Sequence, residues 1–304
     1  MKVKLYLCLL CLTALSCSTD TEQERIHSAY YWTTTFHLSD QKIDFLHDHN
    51  IRRLYVRFFD VVMTDNGAMP NATIDIQDTV PADIEVVPTV FIMNDCMALK
   101  QDNLPTKIVE RILKICRTHD IPNIHEIQID CDWTARTQDN YFKFLEGVGK
   151  ELKQKGMDLT VTIRLHQLNM MIPPADRGVL MVYNTGDVTD RSCRNPILDL
   201  RDVTPYLSYL DDYKLKLSAA YPVFSWDVLF RDSIFVGIQH YEGEYPSMPG
   251  DTLISHTPEK TEILQTKQAV EEAASSVNKE IILYDLSDKN LERFSREDYA
   301  AFYE

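Results

Sequence analysis

Eight short β-rich runs, most of them separated by helical patterns, constrain this chain more than any other feature. They fall at residues 28–32, 53–59, 85–92, 126–131, 159–166, 179–184, 216–221 and 280–285. Alternation of strands and helices points to a parallel α/β architecture. Ser39-Asp40 caps a helix running to Asn50, and Leu104-Pro105 opens one over 106–119. Thr137 caps a third through Gln154, with Gly156 placed to close it. Thr204-Pro205 starts another, Thr257-Pro258-Glu259 starts a long one to Val277, and Ser287 or Asp288 begins the last. Eight such units in about 280 residues match a (β/α)8 TIM-like barrel. An open doubly wound sheet is the alternative, but no Gly-rich phosphate turn follows the first strand. Two connections are irregular: 61–83 lacks a helical pattern, and 224–256 is a long aromatic insertion after strand 7. Long connections in a compact domain are commonly functional.

The N-terminus has a different logic. Lys2 and Lys4 precede an apolar run from Leu5 to Leu15, too short to span a bilayer permanently, and then Ser16-Cys17. Thr13-Ala14-Leu15-Ser16-Cys17 resembles a lipobox, although the commonest box has Leu where Ala14 stands. The expected organisation is a lipoprotein signal peptide over 1–17 with acylation at Cys17, a polar tether over 18–25, and one barrel domain over 26–304. The implied location is the bacterial cell envelope, with a lipid anchor to the membrane on its periplasmic or cell-surface side. Removing Lys2 and Lys4 takes the formal charge from −15 to −17. That acidity excludes a basic nucleic-acid footprint and leaves membrane attachment to the acyl chain. Cys96, Cys116, Cys131 and Cys193 show neither C-x-x-C nor zinc spacing, and read as buried free thiols.

The fourth run carries the chemistry. Along His125-Glu126-Ile127-Gln128-Ile129-Asp130-Cys131-Asp132-Trp133, side chains alternate faces. Ile127, Ile129 and Cys131 suit the helix layer, which turns Glu126, Gln128, Asp130 and Asp132 into the barrel. Polar residues in such an interior are costly unless hydrogen-bonded, so a network or a site is required. Asp130 and Asp132 lie at the C-terminal end, where barrel enzymes carry their active sites. In the next strand Thr160, Thr162, Arg164 and His166 share the inner face, and Arg57 points inward from the second. The plainer interpretation of Glu126, Gln128, Arg57 and Arg164 is a neutralised internal network.

Aromatic residues gather at the same end. Trp32, Trp133 and Trp226 fall at or just beyond strand ends, with Tyr183 and Tyr221 in comparable positions and Tyr241 and Tyr245 in the insertion. Rings at one rim suit the C–H faces of sugars. The expected substrate-binding set is Trp32, Arg57, Trp133, Arg164, His166, Tyr183, Tyr221 and Trp226, and the alternative is that the rings only pack loops.

The eight-unit layout, the lipobox, Tyr31-Trp32, Ile127-Gln128-Ile129-Asp130-Cys131-Asp132-Trp133 and Tyr141 together resemble an uncharacterised bacterial lipoprotein family, a domain of unknown function. That resemblance implies a TIM barrel remotely similar to glycoside hydrolases. Family 18 chitinases carry D-x-D-x-E on the fourth strand with the Glu as acid, and here Thr134 stands at that place. Family 25 lysozymes have D-x-E, where Asp132 would replace the Glu with a shorter arm.

Three functions follow as expectations. The first is a glycan-acting hydrolase with Asp132 as proton donor and Asp130 as base, nucleophile or electrostatic stabiliser. The second is a non-catalytic glycan-binding lipoprotein using the same rim. The third is a metal-dependent hydrolase on Asp130, Asp132 and His166, although no spacing compels a metal. No cofactor motif is present, and the expected partner is a glycan or another small polar ligand.

Overall fold

The computed structural model describes residues 25–122 and 124–304. The signal segment, Cys17 and all of the tether except Arg25 therefore lie outside the described residues.

Eight parallel strands close on themselves. They are β1 (Ile26–Tyr31), β2 (Ile51–Thr64), β3 (Glu85–Ile92), β4 (Glu126–Asp130), β5 (Asp158–Arg164), β6 (Arg177–Met181), β7 (Leu217–Pro222) and β8 (Glu280–Tyr284). Each pairs with the next, and β1 pairs with both β8 and β2, completing a (β/α)8 TIM-like barrel. The eight runs expected from the sequence are these strands, displaced by a residue or two at most starts and ends.

The outer layer consists of α1 (Asp40–Asp48), α2 (Leu104–Thr118), α3 (Gln138–Lys153), α4 (Leu200–Leu207), α5 (Lys260–Ala273), α6 (Asp288–Leu291) and α7 (Arg296–Tyr303). α3 shows why these segments are helical. Tyr141, Phe144, Leu145, Val148 and Leu152 recur at three- and four-residue steps and are all buried. Gly156, at φ +69°, ends the turn that follows it. Gly147 lets α3 approach α2, because a Cβ there would stand 2.7 Å from the Pro105 ring.

Three expectations about helices change. α4 starts at Leu200 rather than Thr204, because the Asp199 carboxylate accepts from the Arg201 amide and caps the helix earlier, leaving Pro205 inside. α5 ends at Ala273, short of Val277, and the last helix is two, α6 and α7.

Both irregular connections contain extra strands. β2 continues past the barrel and turns back through Gly67–Asn71 as an antiparallel arm. The insertion after β7 is a three-stranded antiparallel sheet, Trp226–Arg231, Ile234–Gln239 and Asp251–His256, standing over the C-terminal mouth.

The barrel interior is a polar column. At its floor the buried Glu280 accepts from Ser28 Oγ (2.8 Å), Ser218 Oγ (2.7 Å), Tyr55 OH (3.1 Å), Arg177 (2.8 Å) and Arg53 (3.3 Å). Glu126 joins through Arg177 at 3.6 Å. In the middle, Gln128 Oε1 accepts from Tyr30 OH at 2.8 Å and Thr89 Oγ1 at 3.3 Å. The inward face read from β4 is thus the inner face of the barrel.

Candidate functional site at the C-terminal mouth

Above the column the mouth opens into a cleft of about 590 Å³. Asp130, the last residue of β4, forms its base. It is buried, accepts from Thr162 Oγ1 at 2.6 Å and pairs with Arg164 Nη2 at 3.2 Å. Asp132, two residues on, has its side chain 54% exposed and accepts from Arg164 Nε at 2.5 Å. One guanidinium from β5 therefore holds both aspartates. Burial raises Asp130 above the usual carboxylate value, with the neighbouring Asp132 charge adding to the rise, while Arg164 and Thr162 pull it back.

The rings form one continuous wall. Trp32 packs against Tyr284 with centroids 5.6 Å apart, Tyr284 against Phe224 at 5.6 Å, and Phe224 against Trp226 at 5.4 Å. Tyr183 closes on Tyr284 at 4.9 Å. Arg57 lies over the Trp32 ring, 5.5 Å from its centroid, and donates to Asp60 through Nε at 2.7 Å. Beside this cleft a smaller hollow of about 260 Å³ shares Asp132, Arg164 and Tyr183 with it and extends to His166, Thr185 and Tyr206.

Trp32, Arg57, Asp130, Asp132, Arg164, Tyr183 and Trp226 thus come together at one cleft. His166 lines only the side hollow, because the chain turns into a 3-10 segment, Leu165–Asn169, as β5 ends. Two expected rim residues are elsewhere. Trp133 is fully buried on the outer side of the barrel, against Tyr141 (6.0 Å) and Phe142 (5.3 Å). Alternation carries past the end of β4, so the residue after the inward Asp132 enters the helix layer. Tyr221 is buried on the outer face of β7, where its hydroxyl donates to Asn278 Oδ1 at 2.8 Å. Its neighbour in the pattern, Ser218, is the one that points inward to Glu280.

Thr134 is exposed, donates to or accepts from Thr137 at 3.4 Å, and does not line the cleft. Among the described residues no group of three or more His, Cys, Asp or Glu is arranged to hold a metal ion, so Asp130, Asp132 and His166 do not form one.

The sequence reading missed Tyr284, Asp285, Phe224 and Lys289. Tyr284 is the inward residue that ends β8, and Asp285 follows it, as Asp132 follows Asp130 by one further step. For Tyr284 the signal was the rule already applied to β4, an aromatic residue at the C-terminal end of a barrel strand, whereas Phe224 and Lys289 lie beyond the strands and Asp285 is set apart by contacts from elsewhere in the chain.

No family model matches the chain, and no curated protein matches it in sequence. Solved structures do resemble it. The Bacillus cereus spore cortex-lytic enzyme SleL superposes with a TM-score of 0.60 at 13% identity, covering 92% of this chain and 74% of that one. A chitinase from Chromobacterium violaceum gives 0.59 at 14% identity, covering 91% and 98%. The family 18 chitinase ChiB from Flavobacterium johnsoniae gives 0.59 at 13%, covering 92% and 94%. The likeness is one of fold. It extends over nearly the whole described chain, and at these identities it carries no residue roles across.

Proposed function

We propose that this chain is a cell-envelope lipoprotein acting on glycans, a glycoside-hydrolase-like enzyme whose paired aspartates face an aromatic wall at the barrel mouth. One observation carries the reading: Trp32, Tyr284, Phe224 and Trp226 make an unbroken ring surface in the same cleft as Asp130 and Asp132. Flat apolar surfaces opposite convergent polar groups suit sugar rings, whose faces are C–H and whose edges are hydroxyls. The structural neighbours, named as chitinases and a spore cortex-lytic enzyme, support the same class and supply the first substrates to try. Lys2, Lys4, the apolar run and Cys17 support envelope anchoring through an acyl chain.

A second reading, glycan binding without turnover, is favoured by Arg164. Its guanidinium donates to one oxygen of each aspartate and gives up no proton itself.

Retention and product analysis on chitin oligosaccharides and cortex glycan fragments test both. Trp32→Ala and Trp226→Ala should each weaken binding by about 0.5–1.5 kcal/mol beyond lost burial, roughly two- to twelvefold. Trp133→Phe should leave binding unchanged, because that ring lies outside the cleft. Binding without product in the wild type would select the second reading. Absence of both binding and product across the panel would sink both.

A further inference from the structure

Resting on the hydrolase reading above, we infer that Asp285, rather than either member of the β4 pair, is the proton donor to the glycosidic oxygen. Three aspartates line the cleft: Asp130, Asp132 and Asp285. Two share Arg164, whose guanidinium is committed to one oxygen of each, although burial still raises Asp130 above its ordinary value. Asp285 differs in its partners, none of which is a cation within ion-pair distance among the described residues.

Its partners are uncharged. The Asn290 side-chain amide donates to Asp285 Oδ1, and the same Nδ2 donates to the Asp285 carbonyl at 3.2 Å. The cation nearest in effect is Lys42 of α1, whose ammonium pairs with Asp288 at 3.1 Å and donates to the His37 carbonyl at 3.2 Å. On its own segment the neighbours are Tyr284, Ser287, Asp288 and Lys289, of which only Lys289 carries an unpaired positive charge among the described contacts. Behind Asp285 lies a small apolar hollow formed by Ala29, Val223, Leu283 and Leu286. In front is the open cleft. That burial pushes the carboxyl up to about 6, against the pull of Ser287 and Asn290. This group therefore keeps its proton into mildly acidic solution and a protonated fraction above it, while burial, with Tyr183, Asp285 and Asp130 adding to it, keeps the Tyr284 phenol protonated.

The division of labour then follows the partners, an amide on Asp285 and a guanidinium on the β4 pair. As the C1–O bond breaks, its electron pair goes to the glycosidic oxygen, which takes the Asp285 proton and leaves as an alcohol. The Arg164-held carboxylates face the positive charge developing at C1. Water then gives its hydroxyl to C1 and returns its other proton to the Asp285 carboxylate, so that the net change is addition of one water across one bond.

Leaving-group dependence tests the assignment. The wild type, Asp285→Asn and Asp132→Asn are compared on a chitin oligosaccharide and on the dinitrophenyl β-glycoside of N-acetylglucosamine, whose leaving group needs no proton. Asp285→Asn should lose about 10²- to 10⁴-fold on the oligosaccharide and less than about tenfold on the aryl glycoside. It should also lose the alkaline limb of the pH profile, and Asp285→Glu should recover part of both. Asn keeps the side-chain volume and a carbonyl to accept from Asn290, and melting curves verify its folding. Equal losses on the two substrates, or leaving-group dependence in Asp132→Asn instead, would overturn the assignment while the hydrolase reading survives. A wild type that cleaves neither substrate removes the hydrolase reading, and the assignment with it.

Discussion

Arg164→Met tests whether the Asp130–Arg164 pair at the base of the cleft is shut off from water. The Asp130 side chain is 4% exposed and that of Arg164 18% exposed, so their pair is largely desolvated. Methionine keeps most of the stem volume but leaves Asp130 with Thr162 as its sole remaining donor among the described residues. Removing one partner of a buried pair typically costs about 3–5 kcal/mol. At about 2–4 °C per kcal/mol for domains slightly smaller than this one, the melting temperature should fall by roughly 6–20 °C. The pH dependence fixes the cause. Asp130 already has a folded-state pKa above its ordinary value, because burial outweighs Arg164 and Thr162. A group of that kind contributes stability that is fully present below its unfolded pKa and is lost as pH rises through its folded value. Without Arg164 the folded value climbs further, so the variant's deficit should be largest near about pH 8 and shrink toward about pH 4. Asp130→Asn combined with Arg164→Met should recover much of the loss, since no buried charge is stranded. Thermal melts across pH measure all of this. A deficit below about 1 kcal/mol at alkaline pH would refute the reasoning, because it would mean that water reaches and solvates Asp130.

Two further predictions concern the barrel itself. Glu280→Gln removes a buried charge from between Arg53 and Arg177 and should cost about 3–5 kcal/mol by chemical denaturation at neutral pH. Burial pushes Glu280 up, but the two arginines and Ser218 and Ser28 outweigh it, so its pKa lies below the ordinary value. Stability from such a group is present above the unfolded pKa and lost as pH falls through the folded one, so the gap between variant and wild type should narrow in acid. For the thiols, burial pushes Cys116 up to about 12, Cys96 up to about 11, and Cys131 well above its usual range. A maleimide added to native protein should therefore modify Cys193 alone among these four, since only Cys193 is partly exposed, and all four after denaturation.

The strands and their inner faces were legible because a period of two survives in β4 and β5 without help from the rest of the chain. Glu126, Gln128, Asp130, Thr160, Thr162 and Arg164 all point where alternation puts them. Rings were less legible because nearness to a strand's C-terminal end does not fix which face a side chain takes; parity does. Tyr221 sits near the end of β7, yet it shares its face with Leu217 and Ala219, opposite the inward Ser218. Trp133 follows the same rule one residue beyond Asp132. Asp285 could not be singled out from local pattern, since what distinguishes it comes from elsewhere in the chain. Ala29 and Val223 help desolvate it from 256 and 62 residues away in sequence, and Asn290 donates to it from the following helix.

A polar column neutralised by its own arginines describes the whole interior, but its two ends differ in how far they are enclosed. On β4 the inward residues climb about 6.6 Å per pair of positions, so Glu126, Gln128 and Asp130 sample three depths. At the lowest, Glu126 and Glu280 meet Arg177, Arg53 and two serines and are buried, with Glu126 Oε1 left without a partner among the described residues. In the middle, an uncharged amide takes two hydroxyl donors. A network built only for stability would keep its carboxylates equally buried at the top. Instead Arg164 reaches past Asp130 to Asp132, whose side chain is 54% exposed, and Asp285 stands in the same cleft paired to an amide rather than a cation. Exposed and cation-free carboxyls contribute little to holding a barrel together, and they are what proton transfer to a bound ligand requires. The floor explains how the fold tolerates its buried charges; the mouth is where those charges are left unfinished.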